Sequence, residues 1–199
     1  MGATTLIPKE PPLNEIEENM RAQTYIRNAF IILNITSFIA ALGIPVPAPF
    51  LLRDWVNVKM TDVRTGQTFS MSDFAGKVVL IETISASCST CRKQQDQVKE
   101  MHRLLGNSTD LVTISLDVNI HENEAELKYY AAKLGYDWYF AIAPPEVIRA
   151  LGNLYSAEYL NYPLSPMLII DRRGSVYGLS YGLKPANLMK NTLQQYLTP

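Results

Sequence analysis

Cysteine is scarce in this chain. Two occur in 199 residues, and both lie in Cys88-Ser-Thr-Cys91. So small a supply excludes the multi-bridge framework that holds small secreted domains together, so the two cysteines matter as a pair. Histidine is equally scarce, with only His102 and His121. Zinc normally takes four ligands. Along a helix His102 would lie about three turns, or roughly 16 Å, beyond Cys91. No metal site and no cofactor is therefore expected. A basic excess is missing too. The 18 Lys and Arg face 19 Asp and Glu, for a net charge of -1, which argues against a nucleic-acid partner. Internal repeats and low-complexity tracts are absent.

Charge itself is missing between Arg27 and Arg53. Residues 1–28 form a polar tail with Pro8, Pro11, Pro12 and the acidic Glu15, Glu17 and Glu18. Residues 29–52 are then apolar and end in the proline-rich IPVPAPF. A membrane span needs about 20 apolar residues. The run from Ala29 to Ile44 is a little short and carries Asn34, Thr36 and Ser37. Arg21 and Arg27 precede it, and few basic residues follow closely. By the positive-inside tendency, residues 29–47 form a membrane anchor that leaves the N-terminus cytoplasmic and the following domain extracytoplasmic. The alternative is an amphipathic helix packed on protein, with a cytoplasmic chain. The prolines end the helix and form an extended linker.

Residues 53–199 carry what is abundant: 47% of the chain is hydrophobic, enough for a core. WVNVKM alternates apolar and polar residues as a half-buried strand does, and DVRTGQTF continues it as a hairpin. KVVLIETI and LVTISLDV are continuous apolar runs and predict buried strands. RKQQDQVKEMHRLLG and NEAELKYYAAKLG have helical spacing and stop at glycine. DWYFAI predicts a short strand. PPEVIRALGNLY opens as a helix on its prolines. YPLSPMLIIDRRGSVYGLSY predicts strand, turn and strand, and PANLMKNTLQQYL a closing amphipathic helix. The order β-β-β-α-β-α-β-α-β-β-α implies an α/β fold. Its mixed central sheet carries helices on both faces, and the last hairpin supplies antiparallel edge strands. The tyrosines and Trp138-Tyr139-Phe140 are expected to pack.

The cysteines follow KVVLIETI directly, where a strand hands over to a helix. Chemistry in open α/β sheets gathers beyond the carboxyl ends of the strands. A helix N-terminus has unpaired N–H groups and a partial positive charge, both of which favour a thiolate. With two residues between them, Cys88 is the attacking sulfur. Cys91, one turn below, resolves the mixed disulfide.

Together, FSMSDFAGKVVLIETISASCSTCR, LVTISLDV and SPMLIIDRRGSVYG resemble the thioredoxin superfamily, in its TlpA-like and redoxin (AhpC/TSA-like) branch. The resemblance runs from about Trp55 to the C-terminus. It implies a thioredoxin-like fold and a thiol-disulfide oxidoreductase that exchanges disulfides with protein partners, often from a membrane anchor outside the cytoplasm. It also implies that Glu82, in the central strand, relays a proton to Cys91, and flanking apolar residues should raise its pKa. Pro166 takes the place of the family's cis proline. Ser165 before it, with Ser87 and Arg92 beside the cysteines, would meet substrate. Ser87 stands where thioredoxins usually carry tryptophan.

Three other readings compete. A peroxiredoxin-like peroxidase would use Cys88 as the peroxidatic and Cys91 as the resolving cysteine. Ser85 sits three residues before Cys88 as that family requires, but Ile81 replaces its proline. SCO-type copper proteins space their cysteines by three and add a histidine far downstream, which this chain lacks. A binding module with a permanently closed disulfide is the non-enzymatic alternative.

Overall fold

The computed structural model describes residues 54–106 and 108–198. The expectations for the tail, the hydrophobic helix and the linker fall on residues outside these. A 3-10 turn at Asp54–Asn57 leads to strand β1 (Met60–Thr61) and strand β2 (Thr68–Phe69). Strand β3 (Val78–Ile84) and helix α1 (Ser89–Leu104) follow. Next come β4 (Leu111–Asp117), α2 (Glu124–Leu134), β5 (Tyr139–Ile142) and α3 (Pro145–Ala150). β6 (Met167–Ile170), β7 (Val176–Gly178) and α4 (Ala186–Leu197) complete the fold.

β3 is the axis of the sheet. All seven of its residues are buried, as an uninterrupted apolar run requires. β4 pairs with it in parallel, from Val78 opposite Leu111 to Ile84 opposite Asp117. β6 pairs with it antiparallel on the other side, from Val79 opposite Ile170 to Glu82 opposite Met167. The sheet order is β5-β4-β3-β6-β7. The final hairpin thus differs from expectation. β6 is interior, and only β7 lies at an edge. The residues explain this: Met167 to Ile170 are buried throughout, whereas Tyr177 and Gly178 of β7 are exposed.

WVNVKM also departs from its alternating pattern. The 3-10 turn at Asp54–Asn57 places Trp55 in the core, 3% exposed, with its ring edge-on to Tyr155. Only Met60 and Thr61 pair with β2, in a separate two-stranded sheet. Tertiary burial of one indole outweighs the weak strand preference of a short alternating run. The hairpin is tied to β5: Val63 N–H donates to the Phe140 carbonyl at 2.8 Å, and Phe140 N–H donates to Asp62 Oδ1 at 3.2 Å.

Alternation along β3 divides the core. Val78, Leu80 and Ile84 pack with Val98 and Met101 of α1, Leu127 of α2 and Leu193 of α4. Val79 and Ile81 face the opposite layer, with Trp55, Phe69, Val147 and Tyr159. Glu82 shares the parity of Leu80 and Ile84, which directs its carboxylate toward the α1 layer. α2 opens on a capping box: Asn123 Oδ1 accepts from Glu126 N–H, and Glu126 Oε2 accepts from Asn123 N–H. It closes on Gly135 at φ 63°, a left-handed position suited to glycine.

Phe140 is fully buried, with its ring parallel to Tyr136 at 6.0 Å and its backbone holding the hairpin. Phe140→Ala is expected to cost about 3–5 kcal/mol in urea unfolding. A loss below about 1 kcal/mol would show that this aromatic layer is not needed for stability.

Candidate active site

The carboxyl end of β3 passes through Ser85, Ala86 and Ser87 into Cys88, the N-cap of α1. Cys88 is extended, at φ -86° and ψ 116°, and its Sγ accepts the Cys91 N–H at 3.1 Å. That bond uses one of the donors a helix start leaves unpaired and favours negative charge on sulfur. Cys88 and Cys91 are disulfide-bonded, with Cα atoms 5.3 Å apart. Cys88 is partly exposed, whereas Cys91 is buried at 1% exposure with its sulfur 3.4 Å from the Tyr162 carbonyl oxygen. This asymmetry fits an attacking and a resolving sulfur.

Glu82 is 2% exposed and faces α1, whose Gln95 it meets. Its Oε1 accepts from Ser115 Oγ at 2.5 Å and from Gln95 Nε2 at 3.4 Å. Ser115 Oγ also receives the Trp138 indole N–H at 2.7 Å, and Gln95 Oε1 receives the Tyr130 hydroxyl at 2.5 Å. Burial raises the Glu82 carboxyl to about 7; the Ser115 and Gln95 hydrogen bonds and the positive Lys184 hold it from going higher. Lys184 is itself buried, and burial lowers its ammonium to about 8 against the pull of Glu82. Its Nζ donates to the carbonyls of Ser165 at 2.7 Å and Gly182 at 2.8 Å. Gln94 holds the Lys184 backbone: its Oε1 accepts from Lys184 N–H at 2.7 Å, and its Nε2 donates to the carbonyl at 3.1 Å.

The remaining expected site residues fare differently. Pro166 is buried and follows a trans bond, since no described peptide bond is cis. The chain reverses before β6 through Ser165, which is left-handed at φ 48°. Ser165 is 3% exposed. Its N–H donates to the Tyr162 carbonyl, and its own carbonyl accepts from Lys184 Nζ. Ser87 is exposed beside Cys88, and Arg92 lies one residue beyond Cys91. Both line a cavity of about 720 Å³ that also reaches Cys88, Glu122 and Tyr129. Tyr129 was expected in the core but is 66% exposed at this cavity. The helical stripe of α2 assigns its inward face to Leu127 and Ala131 instead. His102 is half-buried, stacked on Trp138 at 5.6 Å and bonded to Thr113, while His121 is exposed.

Sequence reasoning missed Glu122. Its carboxylate accepts from Ser85 Oγ at 2.8 Å, Ala86 N–H at 2.7 Å, Ser87 N–H at 3.0 Å and Asn119 Nδ2 at 3.1 Å. In sequence it belongs to the polar run NIHENE, which looks like a solvated loop. The Ser85 hydroxyl that a peroxidase would aim at its cysteine is committed to this cluster. Among the described residues, no peroxidase-specific feature accompanies Cys88.

A mixed sheet whose central strand delivers a C-x-x-C disulfide onto a helix N-terminus defines a thioredoxin-like thiol-disulfide oxidoreductase. A family model described as Redoxin matches residues 56–197, more than half of the chain. The chain belongs to the redoxin family. It is similar in fold to a thiol:disulfide interchange protein of the thioredoxin family from Chlorobium tepidum, at 20% identity and TM-score 0.60, with 71% of this chain and 93% of that one covered. The thioredoxin domain of a thiol-disulfide oxidoreductase from Bacteroides vulgatus matches at 18% identity and TM-score 0.54, covering 71% and 93%. A SCO1/SenC family lipoprotein from Bacillus anthracis matches at 16% identity and TM-score 0.57, covering 74% and 99%. No curated protein matches.

The raised Glu82 carboxyl links stability to pH. The folded state keeps a proton that the unfolded chain releases between its ordinary 4.5 and about 7. Stability from this group therefore falls as pH rises through that window, by on the order of 3 kcal/mol once above it. Glu82→Gln, which stays neutral, is expected to be more stable than the wild type at pH 8 and equal to it at pH 4. Urea unfolding at the two pH values checks this, and equal stability at pH 8 would contradict the raised carboxyl.

Proposed function

We propose that the domain exchanges disulfides with protein partners, with Cys88 attacking, Cys91 resolving and Glu82 handling the proton of Cys91. The observation that carries this reading is the asymmetry of the two sulfurs: Cys88 partly exposed at a helix N-terminus, Cys91 buried in the layer that holds Glu82. In the reduced protein the Cys88 thiolate attacks one sulfur of a partner disulfide. A bond forms between Cys88 and the partner, and the partner's second sulfur leaves as a thiolate and takes up a proton. Glu82, ionised in part near neutral pH, accepts the proton of Cys91. The Cys91 thiolate then attacks Cys88 and releases the partner's first sulfur as a thiolate, which takes up the proton that Glu82 accepted. Two electrons have passed to the partner, which leaves as a dithiol, and Cys88–Cys91 is closed. Each step also runs in reverse.

Ser87 and Arg92 flank the attacking sulfur on the cavity side and are the residues we assign to substrate contact. Pro166 and Ser165 act from behind, by shaping the turn that holds Tyr162 against Cys91. The uncharged run from Arg27 to Arg53 supports a membrane tether at residues 29–47, with the redox domain on the extracytoplasmic side. Among the described residues, no helix is long and apolar enough to cross a membrane.

Cys91→Ser is expected to accumulate a covalent adduct with a disulfide-bearing protein, because the resolving step is lost. Cys88→Ser should form none and should lose insulin-disulfide reduction by about a hundredfold or more, because the attacking nucleophile is gone. Retained reduction in Cys88→Ser would overturn the assignment. Membrane fractionation followed by protease treatment of intact cells tests the tether: a soluble, protected domain would refute it.

A further inference from the structure

Beside Cys88 lies a second acidic device that the disulfide-exchange scheme does not use. Asp117 ends β4, next to Ile84 of β3 and Ile142 of β5 in the sheet. It is 1% exposed. Its Oδ1 accepts the Asn119 N–H at 2.9 Å, but its buried Oδ2 has no donor. The neighbouring acid is Glu122, whose two oxygens already collect four donors from Ser85, Ala86, Ser87 and Asn119. A buried carboxyl oxygen with no donor, next to a carboxylate, is satisfied if it carries a proton and donates to that neighbour.

We propose that Asp117 and Glu122 share one proton, and that the charge this leaves on Glu122, bonded to the residue before Cys88, sets how readily the Cys88 thiol ionises. Glu122 is thus a positioning residue for the attacking sulfur and Asp117 its proton partner; the idea rests on Cys88 being that sulfur. The two acids divide as such a pair should. Burial and the Glu122 charge push Asp117 up to about 8. The hydrogen bonds from Asp117, Ser87, Ser85 and Ala86 overcome burial and hold Glu122 down to about 2. Between those limits the pair carries one negative charge, and above about 8 it carries two.

Other charged groups stand around the pair. β3 and β5 present only Ile84 and Ile142 at the register positions of Asp117. On α2, Glu126 is engaged with the Asn123 N–H, and Lys133 lies over the Tyr129 ring at 5.5 Å. Burial raises the Tyr130 hydroxyl and keeps it neutral. Arg92 of α1 and the exposed His121 share the cavity wall. A negative charge held one residue from the sulfur disfavours its thiolate. It opposes the helix N-terminus, so Cys88 is tempered by two fixed fields of opposite sign.

The test begins with the full-length protein carrying aspartate labelled with ¹³C at the side-chain carboxyl. One aspartate is expected to titrate near pH 8, absent from Asp117→Asn and moved to lower pH in Glu122→Gln. This reading needs no turnover by Cys88, so it stands apart from the exchange assignment. The second measurement follows Cys88 ionisation by thiolate ultraviolet absorbance in Cys91→Ser protein. Glu122→Gln is expected to raise the thiolate fraction at pH 7 by ~tenfold. Asp117→Asn, whose amide donates as the protonated acid does, should match the parent below pH 8 and show a larger thiolate fraction than the parent above it, because the second negative charge never forms. Ser85→Ala, which removes one loop bond but no charge, should leave the ionisation in place. The proposal fails if every aspartate titrates in the ordinary carboxylate range. It fails equally if Glu122→Gln leaves Cys88 ionisation unchanged, or if Ser85→Ala moves it as far.

Discussion

One backbone N–H, that of Cys91, reaches the sulfur of Cys88 at 3.1 Å. That contact exists because a fully buried strand ends where a helix begins. β3 is pinned by parallel pairing on one side and antiparallel pairing on the other, so its exit point cannot drift. The helix that follows leaves its first N–H groups unpaired, and the sulfur at the N-cap takes one of them. Exposure of Cys88, burial of Cys91 and the placement of the acids are all defined relative to this junction.

Two glutamates flank the disulfide with opposite tendencies. Glu82 lies in the core with two donors, and desolvation wins, so its carboxyl sits near 7. Glu122 lies nearer the surface with four donors, two of them backbone N–H groups, and hydrogen bonding wins, so its carboxyl sits near 2. Environment alone thus moves the same side chain in opposite directions from its ordinary 4.5. Lys184 joins this arrangement to the turn before β6, since its ammonium binds the Ser165 carbonyl while its charge acts on Glu82.

Much of the fold was legible because its strongest signals are local. The runs KVVLIETI and LVTISLDV are too apolar to lie anywhere but the interior, and the glycine stops of the helices need left-handed backbone. The errors fall where a local pattern competed with packing. The alternation of WVNVKM yielded to the burial of Trp55, and MLII entered the sheet interior because both of its faces are apolar. Tyr129 was expected to pack, yet Leu127 and Ala131 already fill the inward face of α2.

By itself the sequence determined that there is one cysteine pair, that it follows a core strand at a helix start, and that Glu82 stands among apolar neighbours in that strand. Those follow from spacing and periodicity, which act over a few residues. Only the tertiary structure decided which distant groups answer these: Ser115 from β4 on Glu82, the Tyr162 carbonyl beside Cys91, and Glu122 clamping the loop before Cys88. Contacts between residues 33 to 71 positions apart arise from strand order and register, and no local pattern encodes which side chain will arrive.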